Sequence, residues 1–249
     1  MKAIITGASG FLGNHLTNRL FSENIDLFSL GNNKTQKFSH YPLGNNIDKK
    51  NIDACISEVR PDFIFHLAGT TKQDSLMHSF SVNTFFALKI LQSLEDHELD
   101  TKTTIVLMGS AAEYGLINRK DLPINEFKAT HPIDLYGQSK AAQSKISLSW
   151  SNEKRKLIIL RPFNIIGPNM PKHLALGSFV NQINSFGSDG GQLKTGNLDT
   201  SRDFIDVRDA TEIIWRLSRN SHAYGKIVNL CTGKSTQLSK LLTKRRKNI

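Results

Sequence analysis

Tyr136 and Lys140 are the residues of this sequence whose types and spacing best fit acid–base chemistry. If their segment is helical, side chains four residues apart lie on one face, one turn from each other. An ammonium beside a phenol favours the phenolate, so Lys140 should lower the pKa of Tyr136 from its unperturbed value near ~10. Tyr136 is therefore a candidate proton donor or acceptor near neutral pH. Chance also places such a pair on many exposed helices, so its meaning depends on the elements around it.

Ser110 is a second candidate, because it follows the end of a predicted buried strand. Residues 104–108 (Thr-Ile-Val-Leu-Met) form an apolar run typical of such a strand, and Gly109 and Ser110 come directly after it. In open α/β sheets, ligands bind at the carboxyl edge of the strands. Ser110 is therefore expected where its hydroxyl could meet a substrate oxygen.

A glycine-rich turn stands near the start of the chain. Residues 2–6 read as a first strand, and a G-x-x-G-x-x-G stretch then runs into an amphipathic helix that contains Leu16 and Leu20. Glycines let the backbone approach a pyrophosphate, and a helix N-terminus faces its negative charge. The turn therefore predicts a dinucleotide-binding site. Its candidate cofactor-binding residues are Gly7, Ser9, Gly10, Phe11, Leu12 and Gly13.

The segment after the second predicted strand, residues 25–30, bears on the choice of cofactor. An NAD enzyme usually carries an Asp or Glu there for the ribose 2′-hydroxyl. Residues 31–37 (Gly-Asn-Asn-Lys-Thr-Gln-Lys) contain two lysines and no acid, so a 2′-phosphate would be tolerated. We therefore favour NADP(H), with NAD(H) as the alternative, and place Asn32 and Lys34 at the cofactor. A polar surface turn with chance lysines explains the segment nearly as well.

Residues 63–69 (Phe-Ile-Phe-His-Leu-Ala-Gly) predict a buried strand that ends in small residues. A strand that lies beside the ribose and pyrophosphate needs small residues at its carboxyl end. Leu67, Ala68 and Gly69 therefore join the predicted cofactor site. We interpret His66 as a structural residue of this turn rather than as a catalyst.

Strands and helices alternate along most of the chain. Apolar runs predict the strands, helical spacing predicts the helices, and Pro61 ends the second helix. Such alternation with parallel crossovers indicates an α/β fold with a doubly wound parallel sheet. The predicted strands are 2–6, 25–30, 63–69, 104–108, 157–160 and 226–230, and the predicted helices after the first are 49–60, 77–95, 136–152, 174–186, 209–219 and 236–243.

The texture of the sequence changes after residue 168, where glycine-rich turns interrupt the alternation. We divide the chain into an NAD(P)-binding domain at 1–163 and a smaller substrate-binding lobe at 164–249. Parts of 204–232 are expected to return to the first domain.

Composition limits the classes of function. Of the 249 residues, 39% are hydrophobic, which suits a globular chain with a sizeable core. No apolar run reaches the ~18 residues of a membrane span, and the first run is too short for a signal peptide. We therefore expect a cytoplasmic protein that has no membrane partner. Cys55 and Cys231 offer neither a disulfide framework nor a metal-ligand set.

The formal net charge of +10 favours an anionic partner. The chain has no zinc-finger spacing and no basic run interleaved with aromatic residues, so we expect a nucleotide-type small molecule and no nucleic acid.

The glycine-rich turn, Ser110, Tyr136 and Lys140, in that order, resemble the extended short-chain dehydrogenase/reductase family, also called the NAD-dependent epimerase/dehydratase family. The resemblance covers nearly the whole chain and extends to the nucleotide-sugar branch of the family. It is nearest to the GDP-4-dehydro-6-deoxy-D-mannose reductases of that branch. The further stretches that carry it are 66–69, 109–115, 161–168, 195–204, 202–209 and 228–233.

This resemblance implies a Rossmann fold and an enzyme that uses NADPH to reduce GDP-4-dehydro-6-deoxy-D-mannose to GDP-D-rhamnose, or a close analogue. Tyr136 would donate a proton to the C4 oxygen of the sugar, and Ser110 would align that oxygen. Lys140 would hold the nicotinamide ribose, with Tyr136 and Pro162 also in the cofactor site.

The resemblance also implies a set of substrate contacts. Asn83, on the predicted helix 77–95, would line the sugar pocket, although the sequence alone fits either a buried hydrogen-bonding residue or a surface one. Asn164 and Arg202 would hold the diphosphate, because a guanidinium can fork onto phosphate oxygens. For Arg202 the alternative is a salt bridge to Asp203 or Asp206.

Other functions stay open within and outside the family. Ala111 and Ala112 stand where sugar 4,6-dehydratases carry an acid/base pair, so dehydration is not expected. A 4-epimerase with bound NAD needs only the Ser/Tyr/Lys set. The chain is shorter than family members usually are, which predicts a truncated substrate lobe and leaves a non-catalytic cofactor-binding protein as an alternative of another class. The family also implies a homodimer, formed through two helices that include the one with Tyr136.

Overall fold

The structure is a computed structural model that describes residues 1–34, 37–44, 46–72, 75–186 and 190–245, with side chains up to residue 242. Its strands are β1 (Lys2–Thr6), β2 (Asp26–Gly31), β3 (Ser39–Pro42), β4 (Phe63–His66), β5 (Thr104–Met108), β6 (Leu157–Pro162), β7 (Asn164–Ile166), β8 (Ser201–Asp206), β9 (Lys226–Leu230) and β10 (Ser235–Gln237). Its α-helices are α1 (Phe11–Phe21), α2 (Lys49–Val59), α3 (Leu76–Phe80), α4 (Phe86–Asp96), α5 (Leu135–Trp150), α6 (Ala175–Ser185), α7 (Val207–Ser218) and α8 (Leu238–Arg245).

Three short 3₁₀ helices and one π turn complete the described elements. The 3₁₀ helices are Ala111–Tyr114, Arg119–Asp121 and Ser221–Ala223. The π turn, Ser81–Phe85, joins α3 directly to α4, so that the predicted helix 77–95 is present with a widened turn at its middle.

Seven strands form one parallel sheet in the order β3-β2-β1-β4-β5-β6-β9. The chain fills one side of β1 with β2 and β3 and then crosses back to place β4, β5 and β6 on the other side. This arrangement confirms the predicted doubly wound parallel sheet. Because the strands are parallel, the segments that follow β1, β4, β5 and β6 all meet at one edge of the sheet.

Each face of the sheet carries its own apolar core. On one face, α1 and α7 cover the strands with Leu16, Leu20, Ile214 and Trp215. On the other face, α2 and α4 supply side chains such as Ile52, and α5 packs against this core with its partly buried Leu148 and Trp150. Burial on both faces explains why the central strands read as continuous apolar runs rather than as alternating patterns.

A second, three-stranded sheet has the order β10-β8-β7, with β10 antiparallel and β7 parallel to β8. The strand β9 lies in the large sheet beside β6, although it comes late in the chain. The sequence did not predict β3, β7, β8 or β10, because β3, β7 and β10 have three or four residues each and β8 is largely exposed or half-buried. No helix in the described part of the chain combines the length and apolar character needed to cross a bilayer.

Candidate active site

The strand order reverses between β1 and β4, which is the position where open α/β sheets bind ligands at the carboxyl edge. Gly7 has a φ of +68°, which L side chains rarely adopt, and a Cβ there would lie 2.9 Å from the backbone N of Ala68. Thr6 Oγ1 accepts a hydrogen bond from the same Ala68 N at 3.1 Å. The two turns predicted to contact the cofactor are therefore neighbours.

The N-terminus of α1 lies directly on the glycine-rich turn. A Cβ at Gly13 would fall 2.1 Å from the carbonyl oxygen of Gly7, so only glycine lets the helix approach so closely. Gly10 caps α1 without a side-chain hydrogen bond, and the first turn of the helix contains no acidic residue. Ser9 and Gly10 are exposed, and Phe11 and Leu12 are partly exposed. Backbone N–H groups and the positive end of the helix dipole are thus available to a pyrophosphate, and the residues present fit a nicotinamide dinucleotide.

The end of β2 presents no carboxylate in its described residues 31–34. Asn32 and Lys34 are both exposed, and the Lys34 charge adds to burial in lowering the pKa of His40. Thr35 and Gln36 lie outside the described residues.

Ser110, Tyr136 and Lys140 come together at the end of β5. Ser110 caps the 3₁₀ helix by accepting a hydrogen bond from the Ala112 N at 3.1 Å. Asp134 starts α5 by accepting from the Gly137 N at 2.7 Å, which places Tyr136 and Lys140 in the first two turns. The Ser110 hydroxyl lies near enough to the Tyr136 phenol to favour its charged form.

Lys140 is buried and reaches across to β5. Its Nζ donates to the carbonyl oxygen of Met108 at 2.7 Å and to Gln143 Oε1 at 3.0 Å. A Cβ at Gly69 would lie 3.4 Å from the same Nζ, so the lysine also adjoins the turn after β4. The structure therefore places Lys140, which lies one helical turn from Tyr136, next to the predicted cofactor turn at residues 67–69.

The expectation that Lys140 lowers the pKa of Tyr136 is wrong in this structure. Burial raises the pKa of Tyr136, the nearby Ser110 hydroxyl opposes that rise, and the carboxylates of Glu113 and Asp134 add to it. Burial also lowers the pKa of Lys140 to about 8, against the opposing charge of Glu113. The physical reason is desolvation, which disfavours whichever form is charged.

His66 lies at the end of β4 with its side chain fully buried. His66 Nδ1 and Thr6 Oγ1 are hydrogen-bonded at 2.9 Å, and the ring meets Phe86 edge-on. Burial, together with the charge of Lys140, lowers the pKa of His66 to about 3. Its contacts are those of a neutral ring that joins β4 to β1.

Asn83 requires a correction. It lies in the π turn, is fully buried, and does not line a sugar pocket. Its Oδ1 accepts from the Thr70 N at 2.8 Å, and its Nδ2 donates to the Thr70 O and to Ser139 Oγ, both at 2.9 Å. The amide thus fastens the loop after β4 to α5, with both of its N–H groups used and the whole side chain buried.

The residues predicted at the diphosphate lie in the small sheet. Asn164 Nδ2 donates to the Asp203 O at 2.9 Å, and the exposed Arg202 donates from Nη1 to the Ser201 O at 2.9 Å. Among the described residues, Arg202 does not form the salt bridge that the sequence left as an alternative. Asp203 accepts hydrogen bonds from the backbone N and the hydroxyl of Thr232, and Asp206 pairs with Arg208. Pro162 ends β6, half-buried, next to β9.

Sequence reasoning did not single out a buried ion pair behind the site. Glu113 is fully buried, and Arg161 Nε donates to its Oε2 at 2.8 Å. The guanidinium also lies 4.6 Å from the centre of the Tyr114 ring. Arg161 at the end of an apolar strand was the available signal, since a charge in such a position is rarely buried without a partner.

A cavity of about 590 Å³ adjoins the small sheet. It is half-open, with mainly apolar walls formed by β7, α6 and α8, and its size is that of a small-molecule site. Lining residues include Ile166, Gly167, Met170, Phe179, Asp206 and Leu241.

Known proteins resemble this chain over nearly its full length. The sequence profile of the NAD dependent epimerase/dehydratase family matches residues 3–231. The GDP-6-deoxy-D-mannose reductase of Pseudomonas aeruginosa is 28% identical over 97% of this chain and 78% of its own. The GDP-6-deoxy-D-talose 4-dehydrogenase of Aggregatibacter actinomycetemcomitans is 28% identical over 94% of this chain and 75% of its own.

A solved structure, RMD from Pseudomonas aeruginosa complexed with NADPH, superposes with a TM-score of 0.78 at 26% identity, covering 97% of this chain and 80% of the other. The profile match and the Rossmann architecture agree. The chain belongs to the NAD-dependent epimerase/dehydratase family, the extended branch of the short-chain dehydrogenases/reductases, and is an NAD(P)-dependent enzyme of that family.

Proposed function

We propose that this protein is an NADPH-dependent nucleotide-sugar 4-ketoreductase that converts GDP-4-dehydro-6-deoxy-D-mannose, or a close analogue, to GDP-D-rhamnose. The observation that carries the proposal is the cluster at the end of β5, where Ser110 and Tyr136 interact and Lys140 is buried beside the turn after β4. The reductase and the 4-dehydrogenase among the relatives support the choice of a GDP-sugar substrate.

The cofactor would be held by the glycine-rich turn, by residues 67–69 and Pro162, and by Lys140 at the nicotinamide ribose. When bound in its reduced form, it supplies the hydride for the C4 carbon of the sugar. Asn32 and Lys34 favour a 2′-phosphate, because the described residues of that turn offer a positive charge and no carboxylate.

Tyr136 supplies the proton that the C4 oxygen requires as its carbonyl becomes an alcohol. Its raised pKa suits this direction of transfer, since the phenol then remains protonated near neutral pH and can donate. Ser110 hydrogen-bonds the same oxygen and aligns it with Tyr136. Lys140 is positively charged below its pKa of about 8, and its ammonium group would hold the nicotinamide ribose beside Tyr136.

The nucleotide diphosphate would lie across the small sheet. Arg202 is exposed there and free to turn its guanidinium towards phosphate oxygens, and Asn164 adjoins it through Asp203. The half-open apolar cavity beyond them is large enough for a base.

The runner-up within the family is a 4-epimerase with tightly held NAD, since that reaction uses the same Ser/Tyr/Lys set. Cofactor behaviour separates the two, because an epimerase regenerates its NAD whereas a reductase consumes NADPH. Dehydration remains disfavoured, because Ala111 and Ala112 next to Ser110 supply neither acid nor base.

The first test is to mix the protein with GDP-4-dehydro-6-deoxy-D-mannose and NADPH, and to follow the absorbance of the reduced nicotinamide. We expect oxidation, with kcat reduced about 10²–10⁴-fold in Tyr136→Phe because the proton donor is lost. The same assay with NADH tests the cofactor preference, and we expect the lower kcat/KM there.

Three results would contradict the proposal. If Tyr136→Phe turned over as fast as the native protein, Tyr136 could not be the proton donor. Interconversion of C4 epimers without net oxidation of NADPH would favour the epimerase. NADPH binding without turnover of any 4-keto nucleotide sugar would favour a cofactor-binding protein.

A further inference from the structure

The buried carboxylate of Glu113 connects the elements that carry the three proposed catalytic residues. Its Oε1 accepts from the Ser110 backbone N at 2.8 Å and from Ser144 Oγ at 2.9 Å. Ser144 lies on α5, one turn beyond Lys140. Glu113 Oε2 accepts from Arg161 Nε on β6 at 2.8 Å. One side chain therefore ties the turn after β5 to α5 and to β6.

The charged and titratable groups around Glu113 come from several elements. Arg161 on β6 pairs with it, and Tyr136 and Lys140 on α5 both feel its charge. Two further titratable groups interact with these partners. Asp134 at the start of α5 raises the pKa of Tyr136, and the pKa of His66 on β4, already lowered by burial, is lowered further by the charge of Lys140.

The position of Glu113 is itself fixed by a second layer of contacts around its partner Arg161. The Arg161 guanidinium lies on the ring of Tyr114, and the Tyr114 hydroxyl donates to Asn229 Oδ1 on β9 at 2.7 Å. Asn229 Nδ2 in turn donates to the Ile124 O at 3.1 Å. A buried charge held by this many bonds keeps a single geometry, because leaving any of the groups unpaired is costly.

We propose that Glu113 is a positioning residue for the reaction proposed above: paired with Arg161, it holds the Ser110 turn and α5 at the separation that lets Ser110 and Tyr136 reach one substrate oxygen. The inference rests on the proposed function for the identity of the catalytic residues. Glu113 touches neither substrate nor cofactor in this role and acts through Ser110, Ser144 and Arg161.

The chemistry of the site makes glutamine an informative replacement. Glu113 accepts three hydrogen bonds on two oxygens, whereas an amide has one acceptor oxygen and an NH₂ group that would face a donor. Glu113→Gln must therefore lose either the Arg161 bond or the bond from the Ser110 backbone N, whereas the Ser144 hydroxyl can turn to accept from the amide. It also removes the negative charge that acts on Tyr136 and Lys140.

Glu126→Gln is the matched control. Glu126 also accepts a backbone hydrogen bond, from the Asn229 N at 2.9 Å, and is not among the groups that set the pKa of Tyr136. The readout is an NMR pH titration of the protein labelled with ¹³C at Cζ of its four tyrosines, assigned with Tyr136→Phe. NADPH binding and kcat are measured on the same variants.

We expect Glu113→Gln to lower the pKa of Tyr136, because a negative charge that disfavours the phenolate is gone. We expect kcat to fall on the order of 100-fold, as for a small misplacement of reacting groups, while the Kd for NADPH stays at its native value. Glu126→Gln should leave the Tyr136 titration unchanged. A native Tyr136 titration and native kcat in Glu113→Gln, with or without a lower Tm, would overturn the proposal.

A variant that fails to fold does not end the test. Ser144→Ala keeps the buried charge and removes only the bond from Glu113 to α5, so it should lower kcat while NADPH still binds; unchanged kcat would overturn the proposal. The titration and NADPH binding need no substrate. They report on Glu113 even where the native protein does not turn over the proposed GDP-sugar, which separates failure of this inference from failure of the proposed function.

Discussion

Lys140 and His66 are buried at the carboxyl edge of the large sheet, and Tyr136 is half-buried there. The sign of each pKa shift follows from the charge that the group would carry. Burial lowers the pKa of Lys140 to about 8 and that of His66 to about 3, and it raises the pKa of Tyr136. Near pH 7 the edge therefore holds a protonated lysine, a neutral imidazole and a neutral phenol. That combination suits the donation of a proton by Tyr136.

His66 gives a prediction about acid stability. Its pKa is about 3 in the folded chain, against ~6.5 in an unfolded one, so between these values the unfolded state binds a proton that the folded state excludes. The stability that comes from keeping His66 neutral is complete above about pH 6.5 and is lost as the pH falls towards 3, by about 1.4 kcal/mol per pH unit. His66→Gln should remove this component of the slope in urea unfolding between pH 7 and pH 5.

The control for that experiment is His222→Gln, at an exposed position. It should leave the acid slope of the native protein in place. A slope in His66→Gln equal to that of the native chain would contradict the prediction.

Spacing predicted that Tyr136 and Lys140 share one helix face, and the end of a buried strand placed Ser110 at the carboxyl edge. That the three residues meet was implied by the family resemblance. Residue type and spacing were not enough for the pKa of Tyr136. That value depends on how deeply the phenol is buried and on Glu113, a residue from another element whose approach no local pattern encodes. The position of Asn83 was not predicted either. Its residue type fits a sugar contact, but the π turn directs the amide inwards to Thr70 and Ser139.

The glycine-rich turn and α1 act as one element, and Gly13 is where they touch. Gly13→Ala would place a Cβ 2.1 Å from the Gly7 carbonyl oxygen and force the helix away from the turn. We expect NADPH binding, followed by nicotinamide fluorescence, to weaken by at least tenfold, on the order of 1.4 kcal/mol.

Gly196→Ala is the matched control for that change. A Cβ at Gly196 has no neighbour within 4 Å, so NADPH should bind as it does to the native chain. Native affinity in Gly13→Ala would show that the close packing of α1 is not needed for cofactor binding.

At the scale of elements, length and burial decided what the sequence could predict. Central strands such as β5 are apolar on both faces, and their runs predicted them within a few residues. The strands β7 and β10 have three residues each and no full pattern, and β8 begins with the exposed Ser201 and Arg202. Their pairing with one another, rather than their own sequence, makes them strands.

At the scale of the whole molecule, we propose the division at residues 163 and 164 as a boundary between two sheets. The strand β6 ends at Pro162 in the large sheet, and β7 begins at Asn164 in the small one. Residues 226–230 return to the large sheet as β9, so the boundary is crossed again.

We also propose a homodimer, formed through the helical segment 76–85 and α5. Leu76, Met77 and Ile146 expose 60%, 68% and 45% of their surface on these elements, which pack against each other. Light scattering after size exclusion should give twice the chain mass of 27.9 kDa, and a Met77→Glu/Ile146→Glu variant should give the single mass, because burying two charges at an interface is unfavourable.

Phe127→Glu is the control for the dimer. Phe127 is 96% exposed but lies in the loop between the 3₁₀ helix Arg119–Asp121 and α5, so its replacement should leave the mass doubled. A native chain that elutes at the single mass across micromolar concentrations would contradict the homodimer.

The two cores of the large sheet are completed at different times as the chain leaves the ribosome. The core shared by α2 and α4 takes all its buried side chains from residues up to Ile159. The opposite core waits for Ile205, Trp215 and Leu230. Until these residues are made, a nascent chain therefore carries a sheet that is covered on one face and only partly covered, by α1, on the other. That apolar surface is one that a chaperone would bind.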